Sequence, residues 1–528
     1  MSVQRTIVIV GAGFSGTLVA ANLLKSQHWA ATRIVLVERA ATLARGKAYA
    51  QRGYPYLLNV PAGRMSADTN SPLDFLNFAQ HRIPGATAED FLPRELYGEY
   101  LEAVLLDAEV SAAPHLEFQR VNADVCGIEP GNPAGYRVQL ADGRLLESDD
   151  VVLALGNPAP ADLPGTRKLA EHYTSDPWSA PLSFTPGETV LLVGTGLTMA
   201  DVAMAATAET NEQVVIHAMS RHGFIPPSQT QFSQNTCKND SAALLRAASF
   251  SALTLLRSVR ELAEDTERRG GDWRETITLI RNIAPQLWQR LPAREQRRVL
   301  RHLRAYWDVH RHRLPNQTLA KLNRFRRQQK MHVHAGRLLQ FDIVAVTEVP
   351  HPASAGTAAA GDNAGPTHAG TTLGDNARST HAAAGRVDSL AAANGTGSPA
   401  PAARPRTKVR VTWRARGSDT PQTMLVDRVI NCTGPDYNIS RSQDPLICSL
   451  VSQGLAVSDT LSLGLRTGAY GALIDAQGRV ASNLYYVGPM LRADHWEATA
   501  AQELRGHAER LAGYLSAPVG RMRAVASA

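Results

Sequence analysis

Cysteine is scarce in this sequence of 528 residues, and the four present, Cys126, Cys237, Cys432 and Cys448, form no C-x-x-C or other close pair. Such spacing offers neither a disulfide framework nor a thiolate zinc site, and the thiols are expected to be reduced and buried. Long apolar runs are missing too. No stretch reaches the roughly 18–20 apolar residues of a membrane span, so no membrane role is expected. The N-terminal run Ile7 to Val10 stops at Gly11, Gly13 and Gly16, short of a secretory h-region of about 7–15 residues, and the expected location is cytoplasmic. Charge is not strongly one-sided. A formal net charge of +7 suits nucleotide phosphates or another anion and gives no reason to invoke nucleic acid. Histidines such as His217, His222 and His495 lack metal-ligand spacing, so no metal is expected. Aromatic residues are 6% of the chain, and none falls between Phe341 and Trp413. Within that gap, residues 352–406 are Ala, Gly, Thr, Pro and Asn with a near-duplication, Gly361-Asp362-Asn363-Ala364 and Gly374-Asp375-Asn376-Ala377. This composition cannot build a core and predicts a disordered surface loop.

What the chain does contain is glycine in two telling places. Thr6 to Val10 is a β-branched run entering Gly11-Ala12-Gly13-Phe14-Ser15-Gly16, then an apolar helical stretch and a second β-rich run, Arg33 to Val37, ending at Glu38. That is a βαβ unit with a dinucleotide fingerprint. Gly11 permits the tight turn, Gly13 lets backbone approach a pyrophosphate, and Gly16 lets helix pack on strand. The helix N-terminus supplies donors and a positive dipole end, and Glu38, 27 residues after Gly11, is placed to bind ribose hydroxyls.

Val190 to Val193 lead into a second such turn, Gly194-Thr195-Gly196, with Ala200 read in place of the packing glycine. Counting 27 residues from Gly194 puts Arg221 where Glu38 stands in the first unit. An arginine there can pair with a 2′-phosphate, with Ser220 adding a hydrogen bond, or it can stack on adenine; NADH and NADPH both remain open. Two further apolar runs end in glycine, Val151 to Gly156 and Val429 to Gly434, as strands do where a chain crosses between two dinucleotide domains. The fold class is therefore α/β, with two Rossmann-like FAD/NAD(P)-binding domains and a helical insertion. The length suggests about three or four folding units. We place the FAD domain at 1–186 and 428–528, the NAD(P) domain at 187–240 and 328–427, and the insertion at 241–327. Val409 to Trp413 and Met424 to Asn431 read as strands, and Glu497 to Leu515 as a closing helix.

Other segments carry a family resemblance: Gly46-Lys47-Ala48-Tyr49, Leu57-Leu58-Asn59-Val60-Pro61-Ala62 with Met65-Ser66, Asp176-Pro177-Trp178, Tyr486-Val487-Gly488-Pro489 and Trp496-Glu497-Ala498-Thr499-Ala500. On these the chain resembles the FAD/NAD(P)-binding family of YdhS-like proteins, relatives of the N-hydroxylating and Baeyer-Villiger monooxygenases. The resemblance implies that the loop from Asn59 to Ser66 passes the flavin, and that Gly488 and the start of the last helix face its pyrimidine end. Expected cofactor contacts are thus Gly11, Gly13, Ser15, Gly16, Glu38, Gly46, Asn59, Met65, Ser66, Val125, Gly156, Gly194, Gly196, Ala200, Arg221, Gly434, Gly488 and Trp496.

The cofactors implied are FAD, with NADH or NADPH as cosubstrate. The activity implied is a monooxygenase using molecular oxygen on a small heterocycle, and the resemblance extends to flavin-dependent urate hydroxylases. The missing cysteine pair excludes electron transfer to a disulfide. An NAD(P)H oxidase or quinone reductase would use the same fingerprints, and a non-catalytic flavin sensor is the reading outside enzymes. An anionic substrate calls for cations. From Arg294 to Arg327 there are eleven Lys or Arg against Glu295 and Asp308, and Arg311, His312 and Arg313 are candidate contacts, with a solvated helix face as the alternative. No catalytic acid or base is assigned.

Overall fold

The computed structural model describes residues 5–26, 31–131, 135–229, 240–346 and 406–517. The expected loop, up to residue 405, and Cys237 lie outside them. Residues 343–408 group as a unit of their own; the remainder is one body.

The first part of the chain runs β1 (Arg5–Val10), α1 (Phe14–Leu24), β2 (Thr32–Glu38), α2 (Gly46–Tyr49), α3 (Asp74–Gln80), α4 (Arg94–Val110) and β3 (Leu116–Asn122). There follow β4 (Val125–Pro130), β5 (Tyr136–Leu140), β6 (Leu145–Ser148), β7 (Asp150–Leu153) and β8 (Tyr173–Thr174). The middle holds β9 (Glu188–Val193), α5 (Leu197–Glu209), β10 (Val214–Ser220), α6 (Ser241–Phe250), α7 (Ala252–Arg268), α8 (Trp273–Asn282) and α9 (Ala284–Arg290). It continues with α10 (Ala293–Arg298), α11 (Arg304–Arg311), α12 (Asn316–Arg327) and β11 (Met331–Val346). The last part is β12 (Arg406–Ala415), β13 (Pro421–Val426), β14 (Arg428–Asn431), α13 (Pro445–Ser452), β15 (Ala472–Ile474), β16 (Val480–Tyr486) and α14 (Ala501–Ser516).

Two sheets organise the body. The first has the order β15-β16-β7-β1-β2-β3, parallel except for the edge strand β15. Both its faces are covered, which is why β1 reads as continuously apolar. Ile7 and Ile9 pack on the side of α1, α4 and α14, while Val8 and Val10 pack toward the β4-β5-β6 meander and α13. Full burial of each such side chain contributes roughly 1.5–3 kcal/mol. The second sheet has the order β13-β12-β11-β10-β9-β14-β8, with α5 and α12 packed on one face through Met199, Leu322 and Phe325. Each glycine-rich turn therefore follows a strand with parallel neighbours on both sides, and the α/β class with two Rossmann-like domains stands.

Several boundaries differ from the sequence reading. β14 and β8 pair in the second sheet, although residues 428–431 and 173–174 were placed in the first domain. The run Met424 to Asn431 is two strands. They break at Asp427, whose carboxylate accepts the Thr189 N–H at 2.8 Å, so that β13 pairs antiparallel with β12 and β14 parallel with β9. The insertion closes at α11, because α12 is the crossover helix between β10 and β11 and packs on α5. The last helix starts at Ala501, since residues 497–500 form a turn in which Thr499 N–H and Ala500 N–H both donate to the Glu497 carbonyl. The thiols are not uniformly buried: Cys432 is buried, Cys126 half-buried and Cys448 exposed.

Candidate functional site: two glycine turns and an arginine-lined cleft

The two fingerprints have one construction. Gly11 has φ +97° and a Cβ there would lie 2.5 Å from the Ala154 carbonyl oxygen; Gly194 has φ +118° and its Cβ would strike the Cys432 carbonyl. Each turn thus nests against the strand that ends two residues later in Gly156 or Gly434, both at positive φ. The four glycine motifs come together in pairs. Gly13 and Gly196 occupy the N-cap positions of α1 and α5, neither with a side-chain cap, so both first turns present backbone N–H groups to a ligand.

Strand register corrects two expected equivalences. Gly11 N–H donates to Val37 O, and Gly194 N–H to Met219 O, so the residue matching Glu38 is Ser220, with Arg221 one beyond. The contacts agree. Glu38 accepts the Ala12 N–H at 2.7 Å and the Ala40 N–H at 3.0 Å, and Ser220 Oγ lies 2.9 Å from Thr195 Oγ and accepts the Gly223 N–H. Counting from the capping glycine, Met199 and not Ala200 takes the place of Gly16. A Cβ on Gly16 would collide with the Gly11 carbonyl, whereas Met199 and Ala200 are both packed in the core.

A cleft of about 590 Å³ brings together Asn59 and Met65, the second turn from Thr195 to Thr198, Arg221, Gly434 and the residues from Thr499 to the start of α14. The start of α14 thus borders the cleft through Thr499, Ala500 and Ala501. Gly46 abuts the first fingerprint, its Cβ position lying 3.0 Å from the Gly13 Cα. Gly488, at φ +153°, caps the short helix Pro489–Ala493. Four of the expected contact residues have side chains packed or hydrogen-bonded within the protein. Trp496 packs on Trp288 of the helical insertion, with ring centroids 4.7 Å apart. The Val125 side chain belongs to the core beneath β1. Ser66 Oγ lies within hydrogen-bond distance of the Asp68 and Ser71 carbonyls, fixing its own loop; Ser15 is buried in α1.

The cleft is electropositive. Among the described residues seven arginines line it, Arg94, Arg221, Arg281, Arg304, Arg311, Arg313 and Arg492, against one acid, Asp308. Several are held from below: Arg311 by Glu497, Arg281 by Glu503 at 2.5 Å, and Arg94 by Asp201 at 2.7 Å. Burial, followed by the Arg274 charge, pushes the Arg313 guanidinium down to about 10. Burial, followed by Arg311, pushes His312 down to about 4. His312 is thus neutral at pH 7; with Nδ1 3.1 Å from the Asp308 carbonyl, Nδ1 carries the proton and Nε2 is the acceptor. Arg311 Nη2 and Arg492 Nε are buried without a hydrogen-bond partner. Arg311, His312 and Arg313 were legible in the sequence. Arg94, Arg281 and Arg492 were not, because single arginines in otherwise ordinary helix and loop segments carry no motif.

Residues 8–158 match a family model described as FAD-NAD(P)-binding. No curated protein gives a significant match. Among solved structures, the chain is similar to the ornithine hydroxylase of Pseudomonas aeruginosa, with 14% identity, 97% of this chain and 99% of that chain covered, and a TM-score of 0.54. It is similar to the ornithine N-hydroxylase of Kutzneria sp. 744 with reduced FAD, NADP+ and L-ornithine, at 13% identity, 99% of both chains and a TM-score of 0.52. The FAD-bound cadaverine monooxygenase of Erwinia amylovora gives 12% identity, 97% and 95% coverage and a TM-score of 0.54. At these identities the likeness is one of fold, and the chain has the α/β fold of two Rossmann-like domains found in those flavin enzymes.

Proposed function

We propose that the chain is an FAD-dependent monooxygenase that consumes NADPH and O2 and oxygenates a small anionic substrate. The observation that carries this reading is the cleft itself, where the second fingerprint, the Asn59–Met65 loop and seven arginines face one space. In this reading the first turn holds FAD, with the α1 N-terminus at the pyrophosphate and Glu38 at the ribose, its carboxylate oriented by Ala12 and Ala40 N–H with lone pairs to spare. The α5 N-terminus and Arg221 hold NADPH, and Ser220, uncharged where the first unit has Glu38, leaves a 2′-phosphate unopposed.

Bound flavin supplies hydride acceptance and, once reduced, activation of oxygen. The protein's part is positioning and charge. The arginines orient the substrate anion, the α14 N-terminus places a positive dipole end at the cleft, and neutral His312 offers Nε2 as a hydrogen-bond acceptor to a substrate N–H. A thiol relay has no support. Burial, followed by the Asp201 charge, raises the Cys432 thiol far above its usual range, and among the described residues the cysteines are free. The diamine and amino-acid substrates named for the similar structures carry ammonium groups, and seven arginines would repel such cations. A planar, electron-rich anion fits better, and urate is the first to try.

The test is anaerobic flavin reduction by NADPH and NADH, each with and without urate, followed by aerobic turnover. Substrate-accelerated reduction with equal consumption of NADPH, oxygen and urate supports the reading. Reduction indifferent to urate and to other small anions, with oxygen converted wholly to peroxide, would leave an oxidase and sink the monooxygenase proposal.

A further inference from the structure

The helical insertion, with Trp496, lines a second, half-open cavity, of about 740 Å³, that shares no lining residue with the cleft. Trp273, Trp288, Trp307 and Trp496 all line it, four of the seven tryptophans in the chain. Its floor, with Ile280, Leu287 and Trp288, is buried. Its wall on α7 is different: that helix buries only Ala252, Leu262 and Thr266 and turns Leu255, Leu256 and Val259 into the cavity half-covered. Polar groups are few, chiefly Arg260, Thr276 and His310.

The sequence builds this hollow rather than closing it. Between α10 and α11 the helix widens into a π-turn, Val299–Leu303, a distortion frequent at functional sites, and both end residues of that turn face the cavity. α11 then serves two spaces, with Tyr306, Trp307 and His310 toward the cavity and Arg304, Asp308 and Arg311 toward the cleft. A bundle of short amphipathic helices can pack its apolar faces together; here large rings hold them apart around a space of the size that small-molecule sites occupy, roughly 300–1,000 Å³. Indole rings favour offset or edge contacts with another flat ring, and the scarcity of polar groups excludes a highly charged ligand.

We propose that this chamber is a binding site for a small, apolar, ring-bearing molecule carrying at most one negative charge, separate from the cleft. The claim does not depend on the monooxygenase reading.

The full-length, flavin-loaded protein is titrated with naphthalene by calorimetry and with 1-anilinonaphthalene-8-sulfonate by fluorescence, following tryptophan emission in parallel. Expected is one saturable site for each probe, with a change in tryptophan emission. Ala263→Trp, which fills the chamber from α7, should weaken both at least tenfold while far-UV circular dichroism and flavin content stay unchanged; Val259→Phe serves if that variant does not fold. Absence of saturable binding, or equal binding by a folded, filled variant, overturns the proposal. So does self-association that rises with concentration and is abolished by the filling substitution while neither probe binds, since a second copy would then be the occupant.

Discussion

At the scale of single residues, the choice between the two nicotinamide nucleotides rests on Ser220 and Arg221. Ser220 is tied to Thr195 and Gly223, so it shapes the turn, while Arg221 is exposed at the cleft. A charge-assisted contact to a 2′-phosphate contributes about 1.5–3 kcal/mol. Arg221→Ala should therefore raise KM for NADPH by at least about tenfold and leave KM for NADH within about twofold of its starting value. Steady-state kinetics with both nucleotides checks this, and equal losses would remove Arg221 from the 2′-phosphate role. The sequence placed Arg221 at the right turn but in the wrong register, because equal spacing was assumed for two loops that differ in length by one residue.

At the scale of elements, the first turn is tighter than the second. Gly16 faces the Gly11 carbonyl and the Ala154 side chain, whereas Met199 occupies the matching place on α5. Gly16→Ala must push α1 away from β1. An overpacking cost of about 1–3 kcal/mol follows, together with loss of bound flavin; urea unfolding and the flavin-to-protein absorbance ratio report the two effects. A substitution that kept full flavin content and stability would show that α1 has more freedom than its contacts imply.

At the scale of the whole molecule, the halves are held by charge as well as by packing. Arg94, at the start of α4, pairs with Asp201 on α5. Burial raises the Asp201 carboxyl, and Arg94 opposes that rise. Arg94→Ala leaves the carboxylate buried and alone, a loss of about 3 kcal/mol, and Asp201→Asn on that background should restore part of it. Denaturant unfolding of the single and double variants measures the difference, and additive losses would deny the coupling.

Acid acts on a different set. His217 and His312 are pushed down to about 4 and His507 to about 3, each first by burial and next by a neighbouring His or Arg. Unfolded histidines take protons near 6.5, so between about 6.5 and 4 the unfolded chain binds protons that the folded chain refuses, and stability falls as pH falls. Asp150 and Asp201, raised by burial, work in the opposite sense at the acid end. The melting temperature should decline across that window, and His312→Gln should flatten the decline; a level profile from pH 7 to 4.5 would contradict it.

The sequence alone determined the parallel strands at the centre of each sheet and their glycine turns, because strand-turn-helix requirements are local: Gly11, Gly13 and Gly194 are dictated by backbone geometry within a few residues. It also showed Glu38 and the cation-rich stretch containing Arg311, His312 and Arg313. Tertiary structure alone decided which cations meet. Arg94, Arg281 and Arg492 lie hundreds of positions apart at the extremes and converge only when α4, α8 and the Pro489–Ala493 turn pack around one space. The packing of the Trp496 ring on Trp288 was likewise decided by tertiary structure, since nothing in its sequence neighbours signals it. Periodicity and turn chemistry act over single elements; a site assembled from several is fixed by the burial of all of them at once.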